Sequence, residues 1–256
     1  MDFKIDQIKV IELCSKNIEG AEEEFFKRIW GTNISDYILR LKSLKIERKF
    51  NVLDAGCGYG QWSVSLSFLN TNVFSVDNDP KRIEILSKIT DFLNIKNISS
   101  YVGSISAMKY DDNFFDEIFC YSTIFFTDFK KTLDEFYRIL RPGGKIYVQS
   151  NGLGWYIYNL VNGHNPSKYF DSKLMAKNAI ENTINYFESG SLLEGKQIII
   201  PSYVLRENAI KSGFRNLLIS GDGKIKLNEN IVTKSFYKEK YFGEEGPYEM
   251  IGWKNL

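Results

Sequence analysis

Apolar residues recur along this chain with two alternating periods, and the alternation predicts most of its elements. Between residues 34 and 46 they fall at Ile34, Ile38, Leu41 and Leu44, the spacing of one helical face. The short run Phe50-Asn-Val-Leu-Asp-Ala55 then predicts a buried strand with Asp54 near its end. Gln61 to Leu69 predicts a helix that buries Trp62, Leu66 and Leu69, and Val73-Phe-Ser-Val76 a second strand that stops at Asp77. Asp79-Pro80 is a helix start, since Asp caps free N–H groups and Pro is tolerated at the first helical position. That helix carries Ile83, Leu86, Ile89 and Leu93 inward. Ser99 to Val102 and Glu117 to Cys120 predict the third and fourth strands. Phe129, Leu133, Phe136 and Leu140 mark another helical face, Arg141-Pro-Gly-Gly144 a turn, and Lys145-Ile-Tyr-Val-Gln149 a fifth strand.

Strand and helix alternate at short spacing, which predicts an α/β fold with a parallel sheet and helices on both faces. Right-handed crossovers make that sheet doubly wound. From residue 151 to 200 the rhythm stops. A single helix, about Ser172 to Phe187, is expected there, within an insertion that caps the open edge of the sheet. Pro201 to Lys211 predicts a helix ended by Gly213-Phe214, and Asn216 to Ser220 and Tyr248 to Trp253 the last two strands. The chain contains no repeat or clear linker. One domain is expected, comprising an N-terminal helical segment (1–48), a core (49–150), a cap (151–200) and a closing helix with strands (201–256).

Composition narrows the function classes. The 256 residues include 43% hydrophobic and 25% charged side chains, the balance of a globular protein. A net charge of +1, from 33 basic and 32 acidic residues, gives no basic footprint for nucleic acid. The acidic opening Met1-Asp-Phe-Lys-Ile-Asp6 is unlike a signal peptide, and no apolar run approaches the roughly 18 residues of a membrane span. Cys14, Cys57 and Cys120 are too scattered for a disulfide framework, so a cytoplasmic setting is expected. No His/Asp/Glu cluster has metal-ligand spacing, and no metal is expected. Aromatic residues reach 15%, many of them in residues 1–31 and 151–190, where they either line a pocket or fill a helical core.

The informative segment is Val52-Leu-Asp-Ala-Gly-Cys-Gly-Tyr-Gly-Gln61, a strand running through Gly56, Gly58 and Gly60 into a helix. Glycines permit positive φ and let a ligand approach the backbone, and the helix N-terminus offers free N–H groups. Dinucleotide enzymes place G-x-G-x-x-G at this point. Here the spacing is G-x-G-x-G, with Asp54 two positions before the first glycine. That carboxylate suits a cationic ammonium or sulfonium and would repel a diphosphate. Asp77, ending the next strand, has the place and the acceptors to hold a ribose diol at the topological switch point.

Across about residues 50–150 the chain resembles the class I S-adenosylmethionine-dependent methyltransferases of the broad small-molecule type. The likeness is carried by Val52-Leu-Asp-Ala-Gly-Cys-Gly-Tyr-Gly60, Val76-Asp77, Phe115-Asp116 and Leu140-Arg-Pro-Gly-Gly144. It implies a Rossmann-like, mostly parallel seven-stranded sheet, in which Tyr248 to Trp253 is an antiparallel strand beside the fifth. It also implies S-adenosylmethionine as cofactor. Gly56 and Gly58, in the loop with Cys57 and Gly60, would cradle its methionine part near Asp54. Asp77 would hold the ribose, Asn78 would lie against the adenine, and Ser104 and Ile105 would flank it. Cys120 and Tyr121 would approach the amino group through backbone carbonyls. Two departures stand out: Ser104 occupies a position where many relatives have Asp, and no His lies near Phe125-Phe126.

Methyl transfer by in-line displacement asks the protein to align the acceptor and exclude water. Phe25, Phe26, Trp30 and Tyr37 are candidates to close over the sulfonium by cation–π contact, or simply to pack the N-terminal helices. Trp30, Tyr37, Trp155, Tyr156, Tyr158 and Tyr169 are candidate walls of the acceptor pocket. His164, in Val161-Asn-Gly-His-Asn-Pro166, is the candidate general base for an N or O acceptor, against a plain solvated loop histidine. The chain has neither the Asn-Pro-Pro-aromatic nor the Pro-Cys sequence of nucleic-acid methylation. The expected partners are a small-molecule acceptor and a second copy in a homodimer, with neither nucleic acid nor membrane. The competing readings are a nicotinamide oxidoreductase and a non-catalytic S-adenosylmethionine-binding scaffold or activator.

Overall fold

The computed structural model describes residues 5–193 and 195–256. The first four residues of the expected N-terminal segment, and Glu194 of the cap, lie outside the described residues. Three helices lead the chain: α1 (Gln7–Cys14), α2 (Gly20–Gly31) and α3 (Ile34–Ser43). There follow β1 (Asn51–Ala55), α4 (Gln61–Ser67), β2 (Asn72–Asp77), α5 (Pro80–Phe92), β3 (Ile98–Val102) and β4 (Phe115–Tyr121). Next come α6 (Phe129–Ile139), β5 (Leu140–Asn151), the cap helices α7 (Leu153–Asn162) and α8 (Ser172–Ser189), and α9 (Ser202–Ser212). The chain ends with β6 (Arg215–Gly221), a small hairpin of β7 (Lys240–Tyr241) and β8 (Glu244–Glu245), and β9 (Pro247–Trp253).

Seven strands form one sheet in the order β3-β2-β1-β4-β5-β9-β6. β1 to β5 are parallel, and β9 runs antiparallel between β5 and β6. The chain winds outward from β1 to β3, then crosses back to β4, so the switch point lies between β1 and β4. Both faces are covered, which explains why the inner strands read as continuous apolar runs. Phe115, Ile118, Ile146 and Val148 pack against α6 and α9 on one face; Val52, Phe119, Tyr147 and Ile251 pack against α3 and α4 on the other. α5 starts as its sequence dictates, with Asp79 accepting a hydrogen bond from Lys81 N at 2.8 Å and Pro80 in the first position.

Three features differ from the expected pattern. Arg141–Gly144 is not a free turn: β5 starts at Leu140, and the pairing with β4 shifts register between Phe115 and Glu117. The cap holds two helices rather than one. α7 was not expected because its Trp, Tyr, Ile and Val residues favour strands, and it is held by packing of Trp155 and Tyr156 on Ala176 and Ala179 of α8. Gly152 admits the hairpin backbone here, since a Cβ would lie 2.6 Å from Glu245 O. Finally, residues 222–239 leave the sheet after β6 and cross the helix layer before β9 returns. No helix among the described residues is long and apolar enough to cross a membrane.

Candidate active site

The glycine loop between β1 and α4 is laced to the neighbouring strand. Gly56 N and Cys57 N donate to Val76 O at 2.7 and 3.0 Å. Gly58 N donates to Asp77 Oδ2 at 2.8 Å, and Asp79 N to Asp77 Oδ1 at 3.0 Å. These N–H groups therefore do not form the concave donor nest that receives a diphosphate. The open side of the loop is its Cα side. Gly58 sits at φ +54°, and the space where a Cβ would point is open. Each Asp77 oxygen keeps acceptor capacity beyond its one backbone bond.

Two chambers open at the carboxyl ends of the strands and share Gly56, Arg82, Ser122 and Thr123. The larger, about 600 Å³, is lined by Asp77, Asn78 and Asp79 after β2, Gly103 to Ser106 after β3, and Phe126 to Asp128 after β4. The smaller, about 370 Å³, is walled by Phe25, Arg28 and Ile29 of α2, Tyr37 of α3, Gln61 and Trp62 of α4, Tyr121, His164 and Asn165, and Phe236 and Tyr237. Thr123 stands at the junction, its hydroxyl within reach of Gly56 O (3.1 Å) and Tyr121 O (3.2 Å).

Charge divides the chambers. Carboxylates line the larger, whereas the smaller is lined by Arg28, Arg82 and His164 and, among the described residues, by no carboxylate. Arg82 is paired with Glu22 at 3.0 Å, and Glu22 also accepts from Tyr59 Oη. Burial, reinforced by Arg28, holds the His164 imidazole below its usual pKa, so it is uncharged at neutral pH. Burial pushes the hydroxyls of Tyr37 and Tyr237 up to about 12, which keeps them protonated as donors. The Gln61 Oε1 atom is buried in the wall without a hydrogen-bond partner.

Behind this chamber lies a buried ion cluster. Arg40 donates to Asp222 Oδ1 at 3.0 Å, to Glu249 Oε2 at 3.2 Å and to Lys234 O at 2.9 Å. Asp222 also accepts from Tyr121 Oη (3.2 Å), Phe236 N (2.7 Å) and Tyr237 N (3.3 Å). One carboxylate thus fixes three residues of the chamber wall.

A family model described as a methyltransferase domain matches residues 46–198, more than half of the chain. The chain belongs to the class I S-adenosylmethionine-dependent methyltransferases. Among its curated relatives, the demethylmenaquinone methyltransferase of Oceanobacillus iheyensis is 29% identical over 114 residues, 41% of this chain and 46% of that protein. The sterol 24-C-methyltransferase of Aspergillus fumigatus is 28% identical over 124 residues, 47% of this chain and 32% of that protein. The chain therefore spans about half, or less, of the length of these relatives. The solved structure of a geranyl diphosphate methyltransferase in complex with S-adenosylmethionine shares the fold at 15% identity, with a TM-score of 0.58 over 96% of this chain and 95% of that one.

In this methyltransferase the residues present fit the family cofactor: an open Gly58 face, a paired-acceptor carboxylate at Asp77 and a chamber large enough for a nucleoside. Gly56, Asp77, Asn78, Ser104 and Ile105 line the larger chamber, and Gly56, Cys57, Gly58 and Tyr121 the smaller. Asp54 does not face either chamber. It is 1% exposed and accepts from Ser63 Oγ at 2.6 Å, because the strand turns its side chain toward α4. Gly60 serves packing, since Leu86 fills the place of its Cβ, and Cys120 is buried on the α6 side of β4.

The aromatic candidates separate. Tyr37 and His164 line the smaller chamber. Trp30 is fully buried among the N-terminal helices, with Nε1 donating to Tyr59 O at 3.2 Å. Tyr156 is buried in the cap with its hydroxyl on Gln197, and Tyr158 packs on Tyr241. Trp155 stands one layer back, against the rings of His164 (4.7 Å) and Tyr237 (5.1 Å). Tyr169 is exposed beside Gly20. Arg28, Gln61, Trp62, Thr123, Phe236 and Tyr237 were not expected in the wall. Only Gln61 and Trp62 carried a sequence signal, their place directly after the glycine loop.

Burial gives Asp54 a measurable signature. Desolvation raises its carboxyl to about 7, opposed by the Ser63 hydrogen bond and assisted by the nearby Asp77. The folded chain therefore binds a proton that the unfolded chain has released. This contribution to stability is complete below the unfolded value near 3.8 and is lost as pH rises through about 7. Melting curves between about pH 5 and pH 8 should show a declining Tm in the native chain and a flatter one in Asp54→Asn. An equally steep decline in the variant would assign the slope to other groups.

Proposed function

We propose that this chain transfers the methyl group of S-adenosylmethionine to an oxygen or nitrogen atom of a small molecule. The observation that supports this reading most is the paired-chamber cleft joined at Gly56 and Thr123, with the acidic chamber at Asp77 and the aromatic one at His164. Bound in the first chamber, the cofactor supplies an electrophilic methyl group on a sulfonium. Asp77 and Asn78 would hold the ribose and adenine end, and Tyr121 and the glycine loop the methionine end. The smaller chamber, at about 370 Å³, must also admit that end, which leaves room for an acceptor of one or two rings rather than a sterol.

His164 is the chamber's proton acceptor. Its imidazole is uncharged at neutral pH, and Nε2 lies 3.0 Å from the Asn165 amide. The Asn165 amide nitrogen donates to Nε2, so Nδ1 carries the hydrogen and Nε2 is the basic nitrogen that would take the proton of the acceptor. Because this is the only histidine in the chain, its titration can be read directly by NMR. The midpoint should lie below 6.5, and methyl transfer should fall as pH drops through it. A methyl-transfer rate that stays constant as pH drops through the midpoint would remove the base role.

Calorimetry tests the cofactor assignment. S-adenosylmethionine and S-adenosylhomocysteine should bind at roughly micromolar Kd, or about −8 kcal/mol, with no binding of NADH. Preference for NADH overturns the proposal. The exposed apolar residues of the cap, among them Val161, Leu174, Ile184 and Phe187, favour a second reading, a cofactor-binding scaffold for a partner protein. Cofactor binding without turnover across a panel of small acceptors would support it.

A further inference from the structure

Within the smaller chamber, Arg28 is a cation without a counter-charge. It sits at the chamber mouth on α2, and no ion pair engages its guanidinium among the described residues. The nearest acidic side chain on its helix face, Glu24, is held by the Ser167 hydroxyl of the cap. Arg28 lies over the Phe25 ring at 5.3 Å and is close enough to Tyr37, Tyr237 and His164 to bias the titration of all three. The Tyr237 hydroxyl lines the same space and also has no hydrogen-bond partner among the described residues. Arg82, the other cation in the wall, is already paired with Glu22.

Aromatic rings form the rest of the wall. Trp62 packs against Tyr37 (4.6 Å between centroids), Tyr121 (4.9 Å) and Phe236 (6.3 Å), and Phe236 against Tyr37 (5.6 Å). Such a surface takes a flat, apolar body, and the mouth above it offers a planar guanidinium fork and a phenol donor. A guanidinium fork matches a carboxylate in a bidentate manner. His164 is uncharged, so the mouth supplies one positive charge rather than two. That matches a carboxylate better than a phosphomonoester, which carries about −1.5 to −2 at neutral pH.

We propose that the methyl acceptor is a small aromatic carboxylic acid, its carboxylate docked on Arg28 and Tyr237 and its ring on the Trp62–Phe236 wall. This rests on the methyl-transfer reading above and adds the acceptor class to it. Arg28 and Tyr237 are specificity-determining residues, since they address the end of the acceptor remote from the reacting atom.

The probes are benzoate, benzamide and phenyl phosphate, titrated into the native chain and Arg28→Gln, each with and without saturating S-adenosylhomocysteine. Benzoate should bind the native chain at least about ten-fold more tightly than benzamide, the effect of a charge-assisted bidentate contact. It should also raise the NMR titration midpoint of His164, because it brings a negative charge into the same chamber. Arg28→Gln should lose that discrimination while leaving benzamide and S-adenosylhomocysteine affinities within about two-fold. A melting curve for the variant verifies that it is folded. Equal binding of benzoate and benzamide overturns the proposal, as does tighter binding of phenyl phosphate. A parallel loss of S-adenosylhomocysteine affinity in Arg28→Gln also overturns it, because Arg28 would then serve the carboxylate of the cofactor. Selective benzoate binding through Arg28 in a native chain that binds no S-adenosylhomocysteine would sink the transferase reading alone and leave the anion subsite standing.

Discussion

Asp77→Ala should weaken S-adenosylmethionine binding by on the order of 10²- to 10⁴-fold, the cost of losing two hydrogen bonds to a charged acceptor at about 1.5–3 kcal/mol each. The effect is large because the carboxylate does two things at once. It anchors the glycine loop through Gly58 N and the start of the next helix through Asp79 N, and its remaining acceptor sites face the larger chamber. Asp77→Asn separates the two roles. Its single carbonyl oxygen can keep one of the backbone bonds, so the variant should bind with intermediate affinity and melt close to the native chain. Calorimetry with both variants, alongside their melting curves, checks this. If Asp77→Ala bound the cofactor as the native chain does, the larger chamber would not be the nucleoside site.

The largest effect on stability is expected from Arg40→Ala, which should cost about 3–5 kcal/mol and lower Tm by on the order of 10 °C. Arg40 is 1% exposed and faces Asp222 and Glu249, both fully enclosed. Burial raises the pKa of Glu249 and Arg40 opposes that shift, so the guanidinium is what keeps the carboxylates tolerable in the interior. Removing it leaves two buried acids without a counter-charge. The damage should also reach the smaller chamber, because the same Asp222 holds Phe236 N and Tyr237 N. Adding Asp222→Asn to Arg40→Met should recover part of the stability without restoring the chamber. Denaturant titrations of the single and double variants measure the coupling. A stable Arg40→Ala chain would show that water enters the cluster.

Much of this architecture was legible in the sequence because its determinants are local. β1 to β5 alternate with helices whose apolar spacing is short-ranged, and Asp79-Pro80 or Gly213 set element ends by their own backbone preferences. The glycine loop and Asp77 were legible for the same reason. The smaller chamber was not. Phe236 and Tyr237 reach the chamber through a hydrogen-bonded contact with Asp222 and, beyond it, an ion pair to Arg40, far away in sequence. Arg28 lies among Glu22, Glu23, Glu24 and Lys27, and reads as part of a solvated helix face. An aromatic residue gives no sign of whether it faces a core or a cavity: Trp30 and Tyr37 lie seven positions apart, yet one is enclosed and the other is part of the wall. α7 was hidden because packing on α8, rather than propensity, makes it helical.

The smaller chamber adds to the glycine loop, α3, α4 and the end of β4 a wall from α2, the loop between the cap helices and residues 222–239, whereas the larger chamber is built mainly from the ends of β2, β3 and β4. Descendants of such a gene can therefore reshape the smaller chamber by substitutions in these three stretches while the strand ends of the larger one are left untouched. Exchange of those stretches between paralogues would be a short mutational route to new acceptors.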